Sequence, residues 1–597
     1  MAKRQLELIP RNEKKERPAK KAASKPAIVR DTPKTAGKKA APKAAAKKAA
    51  PKAAAAKPAS ASKPIVRLTA IDLAARQREI SVSEFFTKNR HLLGFDSPAK
   101  ALLTTVKEAV DNALDACEEA GILPDLVIVI SEISETRYKV VVQDNGPGIV
   151  KAQIPRIFGQ LLYGSKFHTL RQARGQQGIG ISAAGMYGQL TTGKPIRIAS
   201  HTGSKKPGHE YEIQIDTKRN QPVIVSEREL DGNQPEPDKE KRAVQRAFDH
   251  GTRVELEIEA TYKKGRHSVD GYIEQTAMAN PHASVTYVAP DGERHEYARV
   301  AQELPKAPLE IKPHPHGVEL GILLKMLHET KARNIVSFLH GEFSRVSAPV
   351  AEEIAKAAGL AVSMSPQKAA REQAESLYKA IQAAKLMAPQ SNVLSPIGEE
   401  LLLEGLKKQI TADFYAATSR SPAVYRGNPF LVEAALAYGG GSLPGDELIT
   451  MIRFANRVPL LYQQSACAIT KSVIQTTWKT YGIQQSRGAL PTAPMVVMVH
   501  IASVWVPFTS ESKEAVASYP EIMKEIKLAI QDVGRKLGLY IRRGLREADA
   551  EKKRSYIEKY IPHIGIALQE ILGIDDKRKE KVCATLKDTL ERSRNND

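Results

Sequence analysis

Three short motifs, spaced about equally between residues 108 and 181, constrain the fold of this chain more than any other feature. The first is Glu108-Ala-Val-Asp111-Asn112-Ala-Leu-Asp115. It lies in a stretch, 98–120, where Leu102, Val106, Ala109, Ala113 and Ala116 recur at helical spacing. Ser97 fits the N-cap, Pro98 the first helical position and Gly121 the stop. Glu108 and Asn112 are four residues apart and share one helix face, with Asp111 and Asp115 nearby. A carboxylate beside a carboxamide can polarise water and offer oxygen to a hard cation, although a plain polar helix face has the same pattern.

The second motif, Asp144-Asn145-Gly146-Pro147-Gly148-Ile149, begins 32 residues after Asn112. It follows an expected strand at 138–142, paired with one at 126–130. A carboxylate at a strand end can accept a hydrogen bond from the amino group of a ring such as adenine. Gly146 and Gly148 let backbone approach a flat ring. The third, Arg174-Gly175-Gln176-Gln177-Gly178-Ile179-Gly180-Ile181, has its first glycine 31 residues after Asp144 and feeds an expected helix at 181–187. Glycine-rich backbone at a helix N-terminus offers N–H groups to phosphate oxygens. No Gly-Lys-Ser/Thr follows, so this is not a P-loop, and the preceding context is not a Rossmann strand.

A helix at 152–162, with Pro155 in its first turn, and strands at 196–200, 211–215 and 252–258 complete a pattern of an α/β sandwich with a largely antiparallel sheet. Residues 317–386 read as helical, punctuated by Pro349 and 363–366, and 392–398 as a linker. A second α/β unit follows, with a strand at 495–499. A short helix is expected from Lys513, broken at Pro520. A long helix then runs to about 550, and a last helical segment, 554–572, precedes a charged tail. The longest apolar stretch, 489–508, contains Pro491, Pro494, His500 and Pro507. It suits buried strands better than a membrane span. Dense early charge without an apolar core argues against a secretory signal. Cys117, Cys467 and Cys583 are too scattered for a zinc site or a disulfide framework. Together these point to the cytoplasm, nucleoid-associated if the source is prokaryotic.

The net charge of +22 is unevenly distributed. Residues 1–64 carry 19 of the 89 Lys/Arg and 4 of the 67 Asp/Glu, so most of the excess sits there. This Lys/Ala/Pro-rich segment lacks the apolar content to form a core and is expected to be disordered. It reads either as a sequence-blind arm for double-stranded DNA or as a solubilising extension.

The order and spacing of the three motifs resemble the GHKL ATPases, the superfamily of gyrase, the ninety-kilodalton heat-shock chaperone, histidine kinases and MutL. Gly251-Thr252, opening the expected strand at 252–258, matches their usual fourth element. The resemblance is closer to the B-subunit family of topoisomerase VI. It rests on Tyr163-Gly-Ser165-Lys166-Phe-His168, on Arg171 through Ala184, on Leu190-Thr-Thr-Gly-Lys-Pro195, on Trp478-Lys479-Thr480-Tyr481, and on Val506 through Ala515 with Lys513 inside. It spans roughly 66–575; the basic tail departs from it.

That resemblance implies a GHKL (Bergerat) ATPase domain at 65–310, a helix-two-turns-helix insert at 311–391 and a transducer at 392–553 with a long C-terminal helix. A terminal helix and tail at 554–597 would dock an A subunit that carries the cleaving tyrosine. It implies ATP and Mg2+ as cofactors, ATP-driven B–B dimerisation, an A2B2 heterotetramer, and double-strand passage that relaxes and decatenates DNA. Glu108 would activate water and Asn112 would hold magnesium. Asp144 would read adenine, and Ser165, Lys166 and the loop Gly175, Gln176, Gln177, Gly178, Ile179, Gly180 and Ile181 would close over the triphosphate. Asp115, Gly146, Gly148 and Thr252 complete the nucleotide contacts, and Lys513 would reach the γ-phosphate. Lys331 and Arg333, or a merely solvated face, and Trp478, Lys479 and Tyr481 are the candidates for DNA contact. The alternatives are a MutL-like repair ATPase, which would lack the insert and the Trp478 element, a histidine kinase, whose ATPase unit sits at the other end, and a histone-like DNA-compacting protein.

Overall fold

The computed structural model describes residues 69–75, 77, 80–164, 169–175, 178–203, 206–230, 250–265, 267–510 and 512–592. The 1–64 arm therefore lies outside the described residues. The chain divides into two units, Met1–Glu79 and Ile80–Asp597. The described part of the first contains one short helix, α1 (Ala70–Ala74). The second starts at Ile80 and holds every other described element.

Helix α2 (Val82–Lys88) is capped by Ser81, whose side chain accepts from the Glu84 N–H. Helix α3 (Pro98–Glu119) begins as the sequence predicts, with Ser97 accepting from the Lys100 N–H and Pro98 in the first turn. The hairpin β1 (Asp125–Ser134) and β2 (Arg137–Gln143) follows. Next come α4 (Ile154–Gly159), α5 (Gly180–Thr192), β3 (Ile196–His201), β4 (Gly208–Asp216), β5 (Gln221–Leu230) and β6 (Gly251–Glu259). Helix α6 (Val269–Ala279), β7 (Ser284–Val288) and β8 (Arg294–Tyr297) end this part. The sheet runs β5-β4-β3-β6-β2-β1-β7-β8, antiparallel except where β1 meets β7. One core joins it to the helices through Leu102, Val106 and Leu114 of α3, Met186 of α5, and Ile128, Val140, Ile198 and Leu256 of the strands. The helix expected at 152–162 is shorter: a 3-10 turn, Lys151–Gln153, leads into α4, which stops at Gly159. Gly159 packs so closely on Pro222 of β5 that a side chain would not fit.

Helices α7 (Leu320–Glu329), α8 (Ile335–Glu342), α9 (Ala348–Ala357) and α10 (Arg371–Ala383) surround their own core of Leu323, Leu327, Phe338, Leu339, Ile354 and Leu377. Helix α11 (Glu399–Gln409) then leads into β9 (Phe414–Ser419), β10 (Ala423–Tyr425), β11 (Asn428–Tyr438), β12 (Thr450–Ala455) and β13 (Val458–Pro459). Helix α12 (Ala468–Gln475), the two-residue strands β14 (Gln484–Gln485) and β15 (Pro491–Thr492), and β16 (Met495–Ser503) complete the second α/β region. Its sheet runs β10-β11-β16-β12-β13, with β9 also on β11. Strand β16 is buried at every position. Its alternate residues serve two cores: Val497 and Val499 face α12 and the long helix, while Val496 and Met498 join α11 and Met278 of α6. The apolar stretch is thus a central strand. No described helix is long and apolar enough to cross a membrane.

Two expectations near the C-terminus fail. No helix starts at Lys513; the chain there is irregular, and Pro520 begins α13 (Pro520–Leu572) instead of ending a helix. Proline's fixed φ and missing N–H suit a first turn, where that N–H has no partner in any case. Helix α13 then runs 53 residues without interruption, through the expected break near 550 and past Pro562. Gly573, at φ 60°, stops it, and the expected charged tail forms α14 (Asp576–Arg592), packed back on α13.

Candidate active site

Helix α3 carries its polar residues into a cavity of about 550 Å³. Lys107, Glu108 and Asn112 line it from α3, Asp144 and Gly148 from the segment after β2, Thr252 from β6, and Gly175 and Gly178 through Ile181 from the glycine-rich loop. Ser512 and Lys513 line it from the second α/β region. The cavity therefore joins both regions, although Glu108 and Lys513 are 405 residues apart.

Gly180, the first residue of α5, lies directly against Glu108, and a methyl group there would overlap the carboxylate. The loop backbone and the carboxylate thus share one end of the cavity. Asn112 presents an exposed carboxamide on the same face, its oxygen 3.7 Å from the point a Gly175 side chain would occupy. Asp144 is buried, its Oδ1 accepting from the N–H of Gly146 at 2.8 Å and of Thr252 at 3.2 Å. Burial pushes its carboxyl up to about 7, against the pull of those two N–H donors. Gly148 adopts φ 72° with its Cα against the His201 carbonyl, a conformation and a clearance that exclude any side chain. Thr252 shares a hydrogen bond with Ser200 across the sheet. Tyr163, over the cavity, donates to Gln153 at 2.6 Å.

Lys513 reaches the cavity from an irregular segment at φ 52°, uncommon for a residue with a side chain. Its amine donates to the Arg174 carbonyl at 3.1 Å, at the base of the glycine-rich loop. Burial lowers its pKa, and Glu108 is the principal opposing charge.

Other expected residues lie elsewhere. Ser165, Lys166, Gln176 and Gln177 fall outside the described residues. Asp115, expected at the nucleotide, is buried in an ion pair with Arg174 at 2.8 Å and does not line the cavity. At seven residues beyond Glu108 it shares the helix face but sits two turns further along. Gly146 also stays out of the lining; its N–H supports Asp144 and its carbonyl meets His250 Nδ1 at 2.7 Å. Trp478, expected to meet DNA, is wholly buried in the second core, and its indole N–H donates to the Val473 carbonyl. An aromatic in a polar motif reads as exposed, but here the ring packs beneath the surface. Lys479 is exposed, and Tyr481 packs its ring on Gly534 of α13. Lys331 and Arg333 are exposed between α7 and α8.

Sequence reasoning missed Lys107 and a buried cluster behind the loop. Arg174 makes a forked contact with Glu118 at 2.6 and 3.0 Å besides bonding Asp115 and Asn280. The carboxylates at 108, 115 and 118 follow the helix period, and that was the available signal. Among the described residues, no group of three or more acidic, histidine or cysteine side chains could hold a metal. A cation here would rely on Asn112 and on the oxygens of a bound phosphate, a donor set that suits magnesium, which keeps most of its waters.

Known proteins are similar to this chain in sequence. The family described as topoisomerase VI B subunit, transducer, matches residues 389–553, and the family described as histidine kinase-, DNA gyrase B- and HSP90-like ATPase matches 98–222. The B subunit of type 2 DNA topoisomerase 6 from Methanococcoides burtonii is 50% identical over 507 residues, covering 85% of this chain and 79% of its own length. That of Archaeoglobus fulgidus is 46% identical over 515 residues, covering 86% and 83%. That of Pyrococcus horikoshii is 38% identical over 556 residues, covering 85% and 94%.

Proposed function

This chain belongs to the family of type 2 DNA topoisomerase 6 B subunits, and from that premise we propose how its cavity hydrolyses ATP and drives a DNA gate. It is the ATP-binding B subunit of a type II topoisomerase, with a partner A subunit and DNA as its working context. The match of the transducer family argues against the repair-ATPase and DNA-compacting alternatives.

The carrying observation is that Glu108 and Lys513 line one cavity from two regions, with the buried Asp144 in the same lining. Asp144 accepts from the adenine amino group, its orientation fixed by the N–H groups of Gly146 and Thr252. The backbone of Gly175 and Gly178–Ile181 donates to the phosphates at the start of α5. Glu108 takes the proton of the attacking water. Lys513 leaves the Arg174 carbonyl and neutralises charge on the γ-phosphate. Magnesium, held by Asn112, would screen the phosphate oxygens. Ser165 and Lys166 add donors over the triphosphate.

The chain is read as an ATPase domain at 65–310, a helical insert at 311–391, a transducer at 392–553 and a docking segment at 554–597. ATP closes two B subunits on each other in an A2B2 assembly in the cytoplasm or nucleoid, and a captured duplex passes through the break made by the A subunits. Lys331, Arg333, Lys479 and Tyr481 remain the candidates for touching DNA.

Glu108→Ala tests the reading. Nucleotide affinity should hold while turnover falls by about 10²–10⁴, the usual worth of a general base. Hydrolysis above about a tenth of the parent rate would remove Glu108 from that role.

A further inference from the structure

The glycine-rich loop is anchored at its base from the transducer as well as from α3. The turn between β12 and β13 is Asn456-Arg457, with both residues at positive φ, 48° and 66°. Paired positive φ values give a tight two-residue hairpin its twist, but glycine and asparagine adopt them more readily than arginine. Both side chains are buried and turned toward the loop anchor. Asn456 Nδ2 donates to the Ala173 carbonyl at 3.1 Å and to the Ser503 carbonyl at 3.0 Å, and its Oδ1 accepts from the Ser503 N–H. Arg457 donates to Ser395 Oγ at 2.9 Å and to the Pro396 carbonyl at 3.0 Å, and lies 3.9 Å from Glu118. Ser395 in turn exchanges two backbone hydrogen bonds with the Gln172 side chain. Gln172 is thus held by Ser395, in the segment that leads into α11, while Ala173 and Arg174 are held from the second α/β region, by Asn456 and by Lys513 itself.

We propose that the Asn456-Arg457 turn is a positioning element for ATP hydrolysis, which holds the base of the glycine-rich loop in register with Lys513. The proposal rests on the reading that Lys513 serves the reaction. If the loop base and Lys513 move as one body, the loop N–H groups and the amine arrive at the phosphates together. If the turn lets go, nucleotide still binds, because none of these anchor residues lines the cavity apart from Lys513. The reacting groups then meet out of register, and a misplacement of about 1 Å can cost roughly 10²-fold.

The test uses the full chain. Asn456→Gly keeps the positive φ and removes the contacts; Gln172→Ala releases the other side of the anchor and carries the test if the first variant does not fold. Each should lower kcat by about 10- to 100-fold while the Kd of a non-hydrolysable ATP analogue stays within about threefold. Combined with Lys513→Ala, each should add less than about threefold, since groups that act as a unit are not additive. An unchanged kcat, a weakened Kd, or effects that multiply with Lys513→Ala would overturn the proposal and leave the active-site reading standing. Normal hydrolysis by Lys513→Ala alone would instead overturn that reading, and the turn's role with it.

Discussion

At the scale of single residues, the chemistry depends on where side chains are absent as much as on where they are present. Gly180 has no room for a methyl group because the Glu108 carboxylate occupies that space. In Gly180→Ala the loop keeps its N–H, but Glu108 must swing away. Turnover should fall by about 10²-fold, within the usual worth of a general base. Shortening the acid should then help: Gly180→Ala with Glu108→Asp should hydrolyse ATP faster than Gly180→Ala alone. A double variant slower than either single one would show that the crowding at Gly180 does not act through Glu108.

Asp144 gives a second test through pH. Its folded pKa, about 7, lies above the ordinary carboxylate value of 3.8, chiefly because it is buried. The folded state therefore binds this proton more tightly than the unfolded chain does. The stability it contributes is fully present below pH 3.8 and is lost as pH rises toward 7. Asp144→Asn keeps an oxygen for the two N–H donors and has no proton to lose. Thermal melts of both proteins from pH 5 to pH 8 should show the difference shifting in the variant's favour as pH rises, by on the order of 2–3 kcal/mol. A gap that stays constant across the range would mean that the carboxyl is not perturbed.

At the scale of elements, legibility in the sequence follows the range of the forces involved. Helix α3 is readable to the residue at its start because Ser97 and Pro98 act locally, within one turn. The pairing of β1 with β2 is equally local. What fails is decided by distant partners. Helix α4 is cut short where Gly159 meets Pro222 of β5. Lys513 lies in no helix; its positive φ fits an irregular segment held by the Arg174 carbonyl, 339 residues away. Proline punctuation misleads once: Pro520 reads as a stop and is a start. The carboxylates of α3 can be read by type, but only their position along the helix separates Glu108, in the cavity, from Asp115, paired with Arg174. Trp478 shows the same limit, since its burial depends on α12 and α13 and not on its neighbours in the motif.

At the scale of the whole molecule, the cavity is shared between the ATPase sheet and the transducer, so a nucleotide bound there as proposed would couple its own state to domain geometry. Ligand that touches both favours whichever arrangement brings Glu108 and Lys513 to the same phosphate. Leu162 and Val150 are exposed beside the lining residues Tyr163 and Ile149. Apolar side chains at the rim of a closing site suit a two-fold contact, in which each copy offers the same patch. The isolated chain should therefore stay largely monomeric without nucleotide and become a dimer with a non-hydrolysable ATP analogue. ADP should shift it less, because the γ-phosphate is what Lys513 would hold. Moving the population from mostly open to mostly closed needs about 10⁴-fold tighter binding to the closed state, so a partial shift at moderate analogue concentration is expected. Sedimentation velocity read at several protein concentrations checks this. The same mass with analogue, with ADP and without nucleotide would mean that closure of the cavity is not what joins two copies.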